Sequence, residues 1–283
     1  MSDYSSMLVT IASSRKNIYH EGPVWLPRTN EVFLVSDKLK SRGTMKVKLH
    51  RVNIDNGNTE EIVGDPEILM ANGAAPDGHG RIALCSQGYG EKGGGVVVMD
   101  PYTGENIRIV QNVYNSPNDI VFNIDRTGFW FTDPTYGYDQ GFRKKKAGPE
   151  AIYFSNEYGV VKMVYMEGGD SRPNGLAISP DGKIVYYGDS GRARGVYSFR
   201  VNEDYTLSDK RLLFRSKVGI PDGIKCDREG RVLVADGEGV HVLSSKGNEE
   251  RLIDVEGGVV QLVFCDDYLV MLCNTKLIKI KYY

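Results

Sequence analysis

Apolar residues in this chain come in short runs rich in β-branched and aromatic side chains, each bounded by Gly, Asp, Asn or Pro. "EVFLVSD", "RIALCSQ", "GFWFTD", "KIVYYGD", "RVLVADG" and "YLVMLCN" read as strands, and no stretch keeps a 3.6-residue apolar period over a dozen positions. Each run follows a turn: "LPRTNE", "PDGHGR", "IDRTGF", "SPDGKI", "DREGRV" and "FCDDYL". Ahead of these lies another short strand headed by small or polar residues, in "EGPVW", "NGAAP", "PNDIVF", "PNGLAIS", "PDGIKC" and "GGVVQLVF". The heads fall at Glu21, Asn72, Asn118, Asn174, Asp222 and about Val259, separated by 51, 46, 56, 48 and 37 positions.

A period of roughly 40–50 residues with several strands per unit marks a β-propeller blade. The pattern therefore predicts an all-β chain, a six-bladed β-propeller formed as a single domain over residues 1–283. An irregular β-sandwich with accidental periodicity is the competing architecture. "MLVTIA" (Met7–Ala12) precedes the first unit, and the last unit ends in "KLIKIKYY". If the N-terminal strand joins the C-terminal blade, the ring closes without an open sheet edge. The long insertion "DPTYGYDQGFRKKKAGPEAIYF" is expected to be a loop of blade three.

Composition narrows the function classes. The 283 residues are 41% hydrophobic and 25% charged, enough for a substantial core. Thirty-five basic and 37 acidic residues nearly cancel, so no global field favours nucleic acid or an anionic membrane. The basic run Arg143-Lys144-Lys145-Lys146 reads as a solvated loop. Cys85, Cys226, Cys265 and Cys273 form no CxxC pair, which argues for reduced thiols. With no leader-like N-terminus and no apolar run of membrane-spanning length, the expectation is a cytoplasmic protein.

The repeat register also places side chains. Glu21, Asn118, Asn174 and Asp222 head the inner strands of blades one, three, four and five, and should converge on the channel axis. Two carboxylates there would repel unless a proton or a cation separated them. All-oxygen donors suit one divalent cation of the Ca2+, Mg2+ or Mn2+ type, with Ca2+ favoured by the mixed Asn/Asp/Glu set. A single Asn or Asp before Gly is ordinarily a turn former. Its recurrence in register points to a metal.

At these residues the chain resembles the SMP-30/gluconolactonase/LRE-like family of calcium-dependent six-bladed lactonases. The resemblance rests on "EGPVW" (21–25), "SPNDIVF" (116–122), "FTDPTYG" (131–137), "RPNGLAISPDG" (172–182) and "PDGIKCDREGRVLVADGEGVHVL" (221–243). "SPND" followed by "FTDPTYGYDQGFR" looks like the branch containing fungal lactonohydrolases. The resemblance implies that Glu21, Asn174 and Asp222 are metal ligands. It implies that Asn118 binds metal or substrate, and leaves open a substrate role for Asn72, where "NGAAPDG" matches loosely. Related sites exchange divalent ions, so Mg2+, Mn2+ or Zn2+ could replace Ca2+. After "QGFR" the chain departs from the family with "KKKAGPEA", so its substrate can differ from that of its relatives.

The implied reaction is hydrolysis of a small sugar or aliphatic lactone, in which a Lewis acid polarises the carbonyl and activates water. Asp222 could bind metal with one oxygen and accept a proton with the other, and Asp119 is a second base candidate unless backbone groups hold it. Tyr136 and Phe142, from the insertion, are candidate substrate walls unless they pack their own loop. His20 should point away from the metal by strand alternation, and His79 and His241 read as structural. No GxSxG motif, phosphate loop or nucleotide fingerprint is present. Two other readings fit the pattern: a propeller enzyme repurposed for a non-hydrolytic step, and a non-enzymatic calcium-binding propeller. The expected partner is a small-molecule lactone. The sequence does not fix the oligomeric state.

Overall fold

A computed structural model describes residues 7–41 and 44–283 as six four-stranded antiparallel sheets and one short hairpin. The inner strands, in blade order, are Glu21–Leu26, Ala71–Pro76, Ile120–Phe122, Pro173–Ile178, Ile224–Cys226 and Gln261–Cys265. Successive inner strands are neighbours, and the last packs on the first, so the sheets form a closed six-bladed propeller.

The unbroken apolar runs mark the second strand of each blade. These strands lie inside a sheet that is covered on both faces by neighbouring blades, so period-two alternation gives way to continuous burial. Ile82–Ser86 and Gly128–Asp133 are buried at every position. Six apolar clusters fill the six blade interfaces. One joins Phe33 and Val35 of blade one to Leu84 and Met99 of blade two; another joins Leu34 of blade one to Leu272 and Leu277 of blade six. Each such side chain contributes about 1.5–3 kcal/mol through burial.

Closure occurs as the sequence predicts. Val9–Ser13 is the outer strand of blade six and runs antiparallel to Lys276–Lys281, with Val9 opposite Lys279 and Ser13 opposite Lys276. The blade-three insertion holds a short helix, Tyr136–Asp139. Its basic run needs a correction. The three lysines are exposed, but Arg143 is only 4% exposed, and its Nη1 donates to the carbonyls of Asn115 (3.2 Å) and Tyr114 (3.4 Å). All four cysteines are free. Among the described residues, no helix is long and apolar enough to cross a membrane.

Candidate active site

Inner strands position the site by a device that the sequence shows only as Glu-Gly and Asn-Gly. Where a Cβ would sit on Gly22, it would lie 2.4 Å from the Asn72 carbonyl oxygen of the next blade. The same contact recurs from Gly73 to the Asn118 carbonyl (2.3 Å) and from Gly175 to that of Asp222 (2.0 Å). The glycines let adjacent backbones touch, and this presents the preceding side chain at the channel mouth. Register shifts at Glu21/Val24, Ala71/Ala74 and Pro173/Leu176 turn these side chains further toward the channel.

The result is a cavity of ≈ 180 Å³ lined by Glu21, Asn72, Asn118, Asn174 and Asp222, with Tyr136 from the insertion. Asn174 Nδ2 donates to Asp222 Oδ1 (3.0 Å), and Gln261 Nε2 donates to Glu21 Oε2 (3.1 Å). Burial raises the Glu21 carboxyl well above the carboxylate range, and the charges of Asp222 and Asp119 push it further. Asp222 is pushed up to about 7, chiefly by burial and secondarily by Asp119, against the Asn174 hydrogen bond and the more distant Lys38.

These residues fit a hard divalent cation. The side-chain oxygens of Asn118 and Asn72 are buried without a hydrogen-bond partner, and the two carboxylates nearby are held toward protonation. Positive charge among them would answer both conditions. Asn174 could join by a half-turn of its amide, which exchanges nitrogen for oxygen. A separate group on blade five, Asp236, Glu238 and His241, is an ion-pair network. His241 Nδ1 meets Glu249 (2.7 Å), Nε2 meets Asp236 (3.2 Å), and the ring packs on Phe214, in keeping with the structural role expected of it.

Four expectations are corrected. Asp119 occupies the position that is glycine after Glu21, Asn174 and Asp222, and both its oxygens are committed. Oδ1 accepts from its neighbour Ile120 N–H (2.9 Å), and Oδ2 from Leu176 N–H of blade four (2.9 Å), so it fastens two blades together instead of acting as a base. Phe142 is 3% exposed and absent from the cavity wall; its carbonyl accepts from Gly90 N–H (2.7 Å), so it packs the loop and is no substrate wall. His20 does face the cavity, because Gly22, at φ +57°, and the adjacent register shift break simple alternation. Its Nδ1 lies 2.7 Å from Asn274 Oδ1 and its Nε2 4.0 Å from Glu21 Oε1. In blade six the equivalent position is Val260, whose carbonyl accepts from Gly223 N–H (2.9 Å), and not Val259.

Lys38, Gln87, Gln140, Ser190 and Ile220 complete the wall and were missed. Lys38, Gln87 and Ser190 follow the second strands of blades one, two and four. Carrying the repeat register on to those strand ends, in "VSDK", "CSQ" and "GDS", would have found them. Tyr136 lines the cavity, with its hydroxyl against Ser190 Oγ.

A closed six-bladed propeller with an oxygen-rich cavity at one mouth defines a class of β-propeller proteins. The chain belongs within it to the SMP-30/gluconolactonase/LRE-like family, whose model matches residues 19–266. It is 30% identical to lactonohydrolase oryL of Aspergillus oryzae over 87% of this chain and 63% of that one. It is 27% identical to the gluconolactonase of Zymomonas mobilis over 87% of this chain and 71% of that one. The chain thus spans less than two thirds of the Aspergillus relative. A structure from Xanthomonas campestris described as a gluconolactonase superposes with a TM-score of 0.79 at 23% identity, covering 97% of this chain and 88% of that one.

Proposed function

We propose that this protein is a divalent-metal-dependent lactonase that hydrolyses a small, polar lactone. The observation that carries the reading is the pair of buried carboxylates facing unpartnered Asn oxygens in one cavity at the channel mouth. Relatives named lactonohydrolase and gluconolactonase support the reaction class. Glu21, Asn118, Asn174 and Asp222 would hold the ion, and the donor set favours Ca2+, with Mg2+, Mn2+ or Zn2+ as substitutes. When bound, such an ion supplies the positive charge that polarises an ester carbonyl and makes water a better nucleophile.

The remaining work falls to the chain's own residues. Water adds to the carbonyl carbon, the bond to the ring oxygen breaks, and that oxygen takes a proton to leave a hydroxy acid. Asp222 is the group suited to accept the proton from water and return it to the ring oxygen. Tyr136 stays a neutral hydroxyl donor because burial raises its pKa. Lys38, Gln87, Gln140, Asn72 and Ser190 make the wall polar, with Ile220 the aliphatic exception, which suits a hydroxylated ring better than an alkyl tail.

The test is a pH-indicator assay on aldonolactones and aliphatic lactones, using EDTA-stripped protein with single ions added back. Turnover should return with Ca2+, and Glu21→Gln should lower ion affinity by at least about tenfold and abolish most activity. Tight ion binding with no turnover on any lactone would instead favour a non-hydrolytic or purely calcium-binding propeller.

A further inference from the structure

The segment between Asp133 and Ala151 roofs the cavity through Tyr136 and Gln140, and it is held at both flanks. On the blade-two side the hold is backbone and buried guanidinium. Gly90 N–H donates to the Phe142 carbonyl (2.7 Å), Lys144 N–H donates to the Gly90 carbonyl (3.1 Å), and Arg143 reaches the carbonyl of Asn115.

On the blade-four side the hold is a charge clamp. Arg172 Nε lies 3.2 Å from Asp139 Oδ2, and its Nη1 lies 2.9 Å from Glu150 Oε1. Thr135 Oγ1 donates between the same two carboxylates, at 3.0 Å and 2.6 Å. Asp139 and Glu150 are like charges, so their approach depends on Arg172, with Lys146 assisting at longer range. Arg172 is itself fixed to the site. Its N–H donates to Asp189 Oδ1 (2.8 Å), and its carbonyl accepts from Ser190 N–H (3.1 Å), the residue whose hydroxyl meets Tyr136. Asn174 follows two positions later.

We propose that Arg172 is a specificity-determining latch: by clamping Asp139 and Glu150 to blade four it fixes Tyr136 and Gln140 as a roof that admits compact polar lactones and excludes tailed ones. This rests on the lactonase reading above. Tyr136 and Asp139 begin and end the same one-turn helix and Gln140 caps it, so a clamp on Asp139 acts on the turn that carries both roof residues. The cavity beneath, ≈ 180 Å³, is below the about 300–1,000 Å³ usual for drug-sized ligands, so the roof's position decides what fits.

The experiment compares metal-loaded wild type, Arg172→Met and Arg172→Lys on glucono-δ-lactone and on a δ-lactone bearing an alkyl tail. In parallel, trypsin cleavage is timed at the exposed Lys144, Lys145 and Lys146, and ion affinity is measured. Arg172→Met should raise KM for the compact lactone by about tenfold while kcat moves less than about threefold. It should also raise relative efficiency on the tailed lactone and speed cleavage at the lysines, with ion affinity unchanged. Arg172→Lys, able to meet one carboxylate at a time, should fall between. Unchanged KM, selectivity and cleavage would overturn the latch, as would a loss confined to kcat. Wild type inactive on both lactones and on the whole aldonolactone and aliphatic panel above would refute the lactonase reading, and with it the selectivity role. The cleavage rates would then report the clamp alone. If Arg172→Met does not fold, Asp139→Asn with Glu150→Gln must reproduce the KM and selectivity changes for the latch to stand.

Discussion

At Glu21 and Asp222 the chain sets two carboxylates where burial and mutual repulsion oppose ionisation, and the consequence is a pH dependence with a definite sign. A carboxyl whose pKa is raised by folding favours the protonated form. Its contribution to stability is full below the unfolded value near 4 and is lost as pH rises through the folded value, about 7 for Asp222. The melting temperature of EDTA-stripped protein should therefore fall by about several degrees between pH 5 and pH 8. Added Ca2+ should reverse the fall, and Asp222→Asn should reduce it, leaving the part that buried Glu21 contributes. A stripped protein equally stable at both pH values would show that these carboxylates are relieved by some other group. The four proposed ligands were legible in the sequence because the repeat put them in one register. Asp119 and Phe142 were misjudged for a different reason. Whether a polar or aromatic side chain meets the cavity or a neighbouring backbone depends on contacts such as Leu176 N–H and the Gly90 strap, which lie far away in sequence.

Asn-Gly and Asp-Gly read as turns in a sequence, yet in the inner strands they are blade-to-blade contacts. Gly175 shows the constraint most sharply, because a Cβ there would lie 2.0 Å from the Asp222 carbonyl oxygen, a rigid backbone atom. Gly175→Ala should force blades four and five apart, costing about 1–3 kcal/mol. It should also weaken ion binding, since Asn174 and Asp222 flank the contact. Gly168→Ala, where nothing lies within 4 Å of the added carbon, is the matched control and should leave both properties unchanged. Denaturant melts and ion titration of the two variants would decide. If Gly175→Ala behaved like the control, the close approach would not be what positions the ligands. Strand identity was legible because the second strands of each blade are buried on both faces and so carry continuous apolar runs. The bulges at the inner-strand heads left no such mark, and His20 was aimed the wrong way in consequence.

The ring as a whole depends on the first described strand meeting the last. Val9–Ser13 supplies hydrogen bonds to Lys276–Lys281, while Leu8, Ile11 and Ala12 pack onto the clusters on either side of blade six. The sequence shows this closure because an orphan strand and an incomplete last blade need only be counted. The roof clamp stayed hidden, because Arg172 meets Asp139 and Glu150 through the tertiary fold alone. A truncation lacking residues 1–13 should lose roughly 3 kcal/mol from the unburied apolar side chains, or about 5–10 °C in melting temperature. It would also leave Lys276–Lys281 as an open edge, prone to self-association despite its lysines. The functional consequence follows from where the ring closes. Gln261, which holds Glu21, lies on the inner strand of blade six, and the Val260 carbonyl before it takes the Gly223 N–H beside Asp222, so a loosened blade six should disturb Glu21 and Asp222 and spare Asn174. Ion affinity should then fall less in the truncation than in Glu21→Gln, and Gln261→Ala in the intact chain should reproduce that partial loss without the drop in melting temperature. If the truncated protein kept full stability and ion affinity, the N-terminal strand would be an ornament on a ring that closes through its apolar interfaces alone.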